Sequence, residues 1–512
     1  MELGLEKKII NRYETVFCGS TVHEENTEMI VPDHSPDILR IVKGSANAFL
    51  KDKSARDGKL DVSGTIKGAV LYVAEGEKNI RKLDVTMPFA YVIDAAEITP
   101  ESKIHAHVVL RALDIREINP RKVSVRASVE VNVSAFEEKN FELCANIADS
   151  EKYGICMRKK AVSAYRPVIV REKAFSVSDD IELSSAESEM SDILIANVSL
   201  TPSDTKVIGN KSILKGNANI SFVYALPDGH LECGEYELPF SQIIDIDGME
   251  TENDLKISLS VSGFELEPQY DASGKARYLT VSAVADASVI VLAADTFDVI
   301  DDVYSTKHEM SVKHDTVKCT RFYDRCEKRV AITESVETGV GIKQVLDVEV
   351  NLMPPVRRRE EGGEVLASDA AISVMYVGDD DGIYSASRRA AVVCPVPLNG
   401  AHSYEASCDV RGKNFSIGAN NEINVRFFTD FDITETEEIT VPAILQIDAD
   451  TENVRSSSDS PSITVKRLEK ERDIWSLAKE YATTVEEIKL ANNISDEACL
   501  TVGRMVLIPK AR

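Results

Sequence analysis

The chain has 512 residues, of which 59 are Lys or Arg and 85 are Asp or Glu, so its formal net charge is −26. With 43% hydrophobic and 28% charged residues it has the composition of globular domains, which excludes a disordered chain, and its length indicates several domains. A surface this acidic repels phosphate backbones and anionic lipid headgroups, which argues against nucleic acid and bare membrane as partners.

Neither a targeting signal nor a cysteine framework is visible. The first residues, MELGLEKKIINRYETVF, lack the apolar core of a signal peptide, and the longest apolar run, at 287–294, is too short to span a bilayer. The nine cysteines are odd in number and scattered, with no CxxC pair, which is neither a disulfide framework nor a zinc-ligand spacing. We therefore expect a cytosolic protein.

One β unit occurs three times along the chain. The segment VSGTIKGAVLYVA at 62–74 is similar to LKGNANISFVYAL at 214–226. In each of these two copies a Gly precedes a Tyr by eight residues, and a Pro-Phe pair follows: Gly64, Tyr72 and Pro88-Phe89 in the first, Gly216, Tyr224 and Pro239-Phe240 in the second. A diverged third copy at 367–378 has Ser368 where the Gly stood and has no Pro-Phe pair.

Each copy also contains a long segment in which apolar and polar residues alternate. These segments are KVSVRASVEVNV at 122–133, YLTVSAVADASVIV at 278–291 and EINVRFFTDFDI at 422–433. Strict alternation is typical of half-buried antiparallel strands. We therefore predict a multidomain, mainly β protein with three antiparallel sandwich-like or barrel-like domains, over residues 1–160, 161–315 and 316–450.

The motifs VPDHSPDIL, SGTIKGAVLYV, MPFAYVID and INPRKVSVRASVEV, read along the first copy, resemble the SPOCS repeat of endospore-forming bacteria. The resemblance extends to the second copy and, more weakly, to the third, over roughly residues 15–450.

A different module follows a polar, Ser-rich segment at 451–462, which we predict to be a flexible linker. Residues 463–512 contain nine Lys/Arg and eight Asp/Glu, so this tail is nearly neutral. The residues Ile474, Leu477, Ala478 and Tyr481 form an apolar helical stripe. Asp473 is the predicted N-cap of this helix, and Thr484 with Glu487 fits a capping box for a second one. Strands on either side give the order βααβ.

This tail is similar to a LysM module over residues 463–510. That resemblance implies binding of N-acetylglucosamine polymers such as peptidoglycan, largely through a Gly-Asp-Thr loop before the first helix. Here the corresponding residues are Glu471, Arg472 and Asp473. Because Glu471 replaces a glycine that would let the backbone approach a sugar ring, we expect the fold to persist and the sugar site to be altered.

A SPOCS array with a C-terminal LysM module resembles the SipL family of spore-envelope morphogenetic proteins. The resemblance implies a non-enzymatic adaptor in the mother-cell cytosol, which binds the SpoIVA-type basement-layer ATPase through its LysM domain and helps to localise the coat around the forespore. The alternative is a glycan-binding envelope protein that uses the LysM domain to bind peptidoglycan.

Five residues of the tail are candidates for contacting a partner: Ile463, Lys466, Lys470, Arg472 and Trp475. Trp475 lies at the edge of the apolar stripe, so it either covers the small core or is a partly exposed anchor, because Trp is frequent in binding hot spots. Ile463, at the start of the first strand, is likewise either core or contact. The basic run KRLEKERD at 466–473 is either a solvated face or an interface in which charge sets specificity.

The search for catalytic and metal sites finds little. His105 and His107 share one face of a predicted strand, but no third ligand lies nearby in sequence, which favours a structural role. Asp379, Asp380 and Asp381 lack the ligand spacing of an EF-hand, which favours a hairpin turn. No GxSxG, HExxH or GxxxxGK[ST] motif occurs, so nothing supports a hydrolase, and we expect no enzyme and no cofactor.

Overall fold

The computed structural model describes the chain except for residues 78, 184–188, 249–252, 271–273, 361–362, 397, 456–460, 496–499 and 511–512. In the described residues the fold is mainly β and ends in a βααβ module, which confirms the predicted fold class. None of the described helices is long and apolar enough to cross a membrane.

The first repeat is a sandwich of two antiparallel three-stranded sheets. Its strands are β1 (Leu5–Ile30), β2 (Ile38–Arg56), β3 (Lys59–Ala74), β4 (Ile80–Asp94), β5 (Lys103–Asn119) and β6 (Lys122–Ile147). The strand orders are β2-β3-β4 in the smaller sheet and β1-β6-β5 in the larger one. Side chains of both sheets form one hydrophobic core, in which Ile66, Tyr72 and Val129 are almost fully buried.

The second repeat has the same arrangement. Its strands are β7 (Ile155–Glu182), β8 (Asp192–Ile208), β9 (Lys211–Ala225), β10 (Leu231–Asp245), β11 (Asp254–Tyr270) and β12 (Ala276–Ser305). The sheets have the orders β10-β9-β8 and β11-β12-β7, and Tyr224 lies in the core between them.

The third repeat keeps this plan with one added short strand. Its strands are β13 (His308–Glu337), β14 (Ile342–Leu352), β15 (Val356–Glu360), β16 (Gly363–Gly378), β17 (Ile383–Cys394), β18 (Ser403–Ile417) and β19 (Glu422–Val454). The larger sheet is β13-β19-β18, and in the smaller one β16 pairs with β14, β15 and β17.

The ends of the repeats differ by a few residues from the ranges expected from the sequence. Strands β7 and β13 begin at Ile155 and His308, before the expected domain starts at 161 and 316. Strand β19 continues to Val454, four residues into the predicted linker at 451–462. Residues 456–460 of that linker lie outside the described residues.

The alternating segment of β6 behaves as its pattern predicts. Its inward residues are at most 3% exposed: Val123, Val125, Ala127, Val129, Val131 and Val133. The polar residues between them lie on the other face. One face of each larger sheet therefore supplies the core, as expected for a half-buried antiparallel strand.

The glycine and the Pro-Phe pair of the repeat signature contact each other across two strands. Gly64 lies opposite Phe89, and Gly216 lies opposite Phe240. A Cβ atom on Gly64 would lie 2.3 Å from Cζ of Phe89 and 2.2 Å from the carbonyl oxygen of Phe49. The glycine therefore makes room for the phenyl ring.

The third repeat loses both members of this pair together. Ser368 stands in the glycine position, and Val392 lies opposite it. Val392 is smaller than the Phe that stands opposite the glycine in the other two repeats, and it leaves space for the Ser368 side chain. The Ser368 Oγ donates to the carbonyl of Met353 at 2.5 Å. The two losses that make the third copy hard to recognise in the sequence are thus one compensated change in packing.

We expect Gly64→Ala to destabilise the first repeat by about 1–3 kcal/mol or more, because the added methyl group overlaps both a ring and a backbone oxygen. Urea unfolding followed by circular dichroism measures the change. The matched control is Gly400→Ala, where a Cβ would have no neighbour within 4 Å. Equal stability of the two variants would contradict the packing argument.

The three smaller sheets meet in a shared apolar core. Each repeat contributes two or more buried side chains to it, among them Val42 and Leu71, Leu194 and Val223, and Leu346 and Met375. Further clusters join the long strands of the three larger sheets, with Leu143, Phe297 and Val441 among their buried residues. The three repeats therefore pack directly on one another.

One ion pair breaks the equivalence of the three repeats at their shared core. Lys43, Ile195 and Asp347 occupy equivalent positions, each directly after a β-bulge and opposite a core residue of the neighbouring strand. Nζ of Lys43 lies 2.6 Å from Asp347 and 3.4 Å from Glu349. The side chains of Lys43 and Asp347 are 5% and 8% exposed, so this buried pair joins the first repeat to the third.

Candidate functional site

The C-terminal module forms as the sequence predicts. Its elements are β20 (Ile463–Arg467), α1 (Ile474–Glu480), α2 (Val485–Asn492) and β21 (Met505–Pro509). Asp473 caps α1 by accepting from the Ser476 N–H at 3.0 Å, and Thr484 caps α2 by accepting from the Glu487 N–H at 3.2 Å. The carboxylate of Glu487 accepts from the Thr483 hydroxyl at 2.9 Å. No bond from the Thr484 N–H to Glu487 occurs among the described residues, so only the Thr484 half of the predicted capping box forms.

The small core of the module continues into the three-repeat body. Its buried residues are Leu468, Ile474, Leu477, Ala478, Ile488, Leu500, Val506 and Ile508. Tyr304, near the end of β12, belongs to the same cluster and is 5% exposed. Its hydroxyl donates to the carbonyl of Thr483 at 2.7 Å. A residue of the second repeat therefore completes the core of the C-terminal module.

Helix α1 and its cap make further contacts between the module and the body. Nε1 of Trp475 donates to Asp302 at 2.8 Å, and the Trp475 ring packs edge-on against Tyr304 with centroids 4.9 Å apart. Nζ of Lys479 also donates to Asp302, at 2.6 Å. Arg158 lies 3.4 Å from Asp473 and over the Trp475 ring. We call this set of contacts the docking contact.

The docking contact determines the surroundings of Trp475. The sequence left two roles open for Trp475, a core cover and an exposed anchor. In the structure its half-buried ring packs beside the module core and against Tyr304 and Asp302 of the same chain. A contact of Trp475 with a partner protein stays a prediction. Sequence reasoning missed Asp302 and Tyr304, because nothing in their local pattern relates them to a helix about 170 residues away.

The basic candidates separate into two groups. Lys466 and Arg472 both pair with Glu480, Lys466 at 2.6 Å. The bond from Lys466, and then that from Arg472, holds the pKa of Glu480 below its ordinary value despite partial burial. Lys470 is exposed and forms no ion pair with any described residue.

Ile463 belongs to an exposed apolar surface. The outward apolar residues of β20 and β21 include Ile463, Val465, Met505 and Leu507, which are 53%, 54%, 59% and 38% exposed. We call these four residues the hairpin face. The sequence analysis identified only Ile463, although the alternation in ITVKR and MVLIP would have indicated the other three.

Two residues of the predicted sugar loop are engaged within the chain. Arg472 bonds Glu480 through its side chain and exchanges backbone hydrogen bonds with Leu500. Asp473 caps α1 and pairs with Arg158. The Arg472 side chain is therefore occupied by an ion pair within the module, and the Asp473 side chain by the helix cap and the docking contact.

His105 and Asp380 make local contacts. His105 packs edge-on against Phe136, and burial lowers its pKa to about 4, so the ring is neutral at pH 7. Asp380 accepts from the Gly382 N–H and the Tyr384 hydroxyl within a hairpin turn. No group of three His, Cys, Asp or Glu side chains that could hold a metal ion occurs in the described residues.

A cleft of about 830 Å³ lies between the second and third repeats. Its lining is rich in amides and carboxylates, including Asn217, Asn219, Glu237 and Glu349, with Lys413 at one side. The described lining contains no histidine, so no Ser-His or Cys-His pair faces this space.

Comparisons with known families match both the β repeats and the C-terminal module. A model described as "SipL, SPOCS domain" matches residues 37–118 and 172–268, which lie in the first and second repeats. A model of the LysM domain matches residues 473–509, from the cap of α1 to the end of β21. No curated protein and no solved structure matches the chain.

Proposed function

Because this chain is a SipL-like protein that combines SPOCS domains with a C-terminal LysM domain, we propose that it is a non-enzymatic adaptor for spore-coat assembly. Its domains indicate a role in spore-envelope morphogenesis for a spore-associated protein, and SipL-family domains are generally non-catalytic. In the proposal the protein lies in the mother-cell cytosol at the forespore surface. There its LysM domain binds the SpoIVA-type basement-layer ATPase.

The hairpin face is the observation that carries protein binding by the LysM domain. Four apolar side chains lie together on a two-stranded sheet and remain 38–59% exposed, while Val506 and Ile508 on the opposite face of the same sheet are buried. Exposed apolar clusters rimmed by charged residues are typical of protein interaction sites. Arg467, Lys470 and Arg504 provide such a rim and are exposed.

The glycan-binding alternative has less support. The module has the fold of a LysM domain, but Arg472 and Asp473 of the sugar loop bond within the chain, and Glu471 adds bulk where the family has glycine. Both ligands can be offered to the same protein. The full chain is the right sample, because Tyr304 of the second repeat is part of the module core.

We expect Ile463→Ala to weaken capture of the purified SpoIVA-type ATPase about tenfold, which corresponds to the loss of one hot-spot contact. Biolayer interferometry with the full chain measures the affinity. Leu490→Ala is the matched control, because Leu490 is 82% exposed in the same domain but lies outside the hairpin face.

Three outcomes are informative. Loss of capture in Ile463→Ala alone supports the adaptor. Wild-type affinity in a folded Ile463→Ala chain would remove the hairpin face from the interface. Binding of the wild-type chain to insoluble peptidoglycan, blocked by soluble sugar oligomers and with no capture of the ATPase, would replace the adaptor by the glycan-binding alternative.

A further inference from the structure

The backbone hydrogen bonds of the LysM hairpin point in alternating directions along β20. The ladder with β21 is regular, with Ile463 opposite Pro509 and Arg467 opposite Met505. Beyond the two ends of the ladder, the Lys510 N–H donates to the backbone carbonyl of Ser462, and the Leu468 N–H donates to that of Arg504. Because bonded pairs alternate in an antiparallel ladder, the even-numbered residues of β20 bond to β21 and the odd-numbered ones point away.

The outward backbone groups on the two edges of this hairpin differ in their hydrogen bonding. On β21 the outward N–H and C=O of Leu507 are bonded by the side-chain amide of Asn492, at 2.8 and 2.6 Å. On β20 the outward groups belong to Ile463, Val465 and Arg467, and no described residue bonds to them. With respect to the described residues the edge of β20 is therefore open, whereas Asn492 covers the middle of the β21 edge at Leu507.

An open edge of this kind is a template for another strand. Natural proteins usually protect edge strands, because unpaired N–H and C=O groups bind extended segments of other chains. Here the open edge coincides with the hairpin face, since the side chains of Ile463 and Val465 are also more than half exposed. A strand added to β20 would gain both backbone hydrogen bonds and apolar contacts.

The charges near β20 favour an acidic occupant. The segment 466–473 after β20, together with Arg504 and Glu480, has five basic and four acidic residues: Lys466, Arg467, Lys470, Arg472 and Arg504 against Glu469, Glu471, Asp473 and Glu480. Asp473 is paired with Arg158 of the body. Glu480 is already paired with Lys466 and Arg472, and Arg467, Lys470 and Arg504 form no ion pair with any described residue. An acidic residue of the incoming segment would meet this unpaired cluster.

We propose that the LysM domain binds its partner by strand addition, with an extended segment of alternating apolar residues and an acidic end pairing with the open edge of β20. This inference rests on the proposed function and specifies how the same domain recognises its partner. Specificity then comes from alternate side chains that contact the hairpin face, and affinity comes largely from main-chain hydrogen bonds.

A proline scan of β20 tests the proposal with the SpoIVA-type ATPase as probe. Val465→Pro removes an outward N–H and leaves the ladder with β21 intact, since proline is tolerated where the N–H of an edge strand faces solvent. We expect capture to weaken about tenfold or more, because the variant loses a bond and obstructs the incoming strand. Val465→Ala separates the side-chain contribution, and we expect it to lose less than Val465→Pro.

Residue-resolved amide hydrogen exchange tests the same point without a substitution. In the free chain we expect the Thr464 and Lys466 amides, which bond to β21, to exchange slowly, and the Ile463, Val465 and Arg467 amides to exchange fast. In the complex we expect all five to exchange slowly. Fast exchange of the three odd-numbered amides in a saturated complex overturns strand addition and leaves ATPase binding intact.

Other results also decide between the possibilities. Wild-type capture by a folded Val465→Pro chain overturns strand addition. Slow exchange of the odd-numbered amides in the chain alone, together with dimers in sedimentation, would make a second copy the occupant and overturn the acidic partner segment. No capture of the ATPase by the wild-type chain would reject the proposed function and, with it, this inference.

Discussion

We expect Asp347→Ala to lower the free energy of unfolding of the three-repeat body by about 3 kcal/mol. Removing one member of a buried ion pair leaves the other charge without compensation, which typically costs roughly 3–5 kcal/mol. The lower end applies because Glu349 remains 3.4 Å from Lys43. Burial opposes the charge of Lys43, but Asp347 and Glu349 hold the pKa of its ammonium group above the ordinary value, so the lysine stays charged.

Urea unfolding followed by circular dichroism measures this loss. An exposed pair is the matched control: Asp94→Ala removes the partner of Lys59, and we expect less than about 1 kcal/mol, because both side chains are more than half exposed. The double variant Lys43→Met/Asp347→Leu should recover much of the stability, since an apolar pair of similar size often replaces a buried ion pair without loss. Equal effects of Asp347→Ala and Asp94→Ala would contradict the buried-pair argument.

The second large effect is expected at the docking contact. Asp302→Ala removes the acceptor of both Trp475 and Lys479, each bonded at less than 3 Å. A hydrogen bond to a charged group contributes about 1.5–3 kcal/mol, so we expect docking of the LysM domain to weaken by about 2 kcal/mol. Trp475 is the only tryptophan of the chain, so a red shift of its emission reports exposure of the ring directly.

The docking contact should also weaken in acid. Burial opposes ionisation of Asp302, but the bonds from Lys479 and Trp475 hold its pKa below the ordinary value. A depressed pKa means that the undocked state binds the proton more tightly, so the contribution is present above about pH 4 and is lost as the pH falls through the lower, docked value. The wild-type emission should shift in that window, and Asp302→Ala should lack this step.

Asp298→Ala is the control for this experiment, because Asp298 is exposed on the same strand. An unshifted emission in Asp302→Ala at neutral pH would show that the bonds to Asp302 do not hold the ring.

The Asp302→Ala variant also has a use in the partner-binding assay. Trp475→Ala is predicted to weaken capture of the partner, and comparison with Asp302→Ala separates loss of a partner contact from loss of docking.

A docked LysM domain has a consequence for the proposed adaptor function. Helix α1 faces the body through Trp475 and Lys479, while the hairpin face and the edge of β20 remain exposed. The proposed partner surface is therefore held in a fixed orientation relative to the three β repeats. The conformational freedom that a flexible tether would lose on binding is already restricted.

Much of this arrangement could be predicted from the sequence because it depends on local periodicity. The alternation in β6 specifies which residues face the core, and the spacing of Ile474, Leu477 and Ala478 specifies a helical face. The caps at Asp473 and Thr484 follow from side chains that bond three residues further on. The repeat signature was visible as well, although its cause, a phenyl ring packed over a glycine, required the register of two strands.

The contacts that organise the domains could not be predicted in this way. Lys43 meets Asp347 over 304 residues, and Trp475 meets Asp302 over 173. Each of these residues has an ordinary local context, and its partner depends on how whole sheets pack. The sequence by itself determined the strands, the threefold repetition and the LysM module, because periodic burial is encoded residue by residue. Only the tertiary structure decided which face of that module docks and which edge stays open, because non-local packing leaves no local pattern.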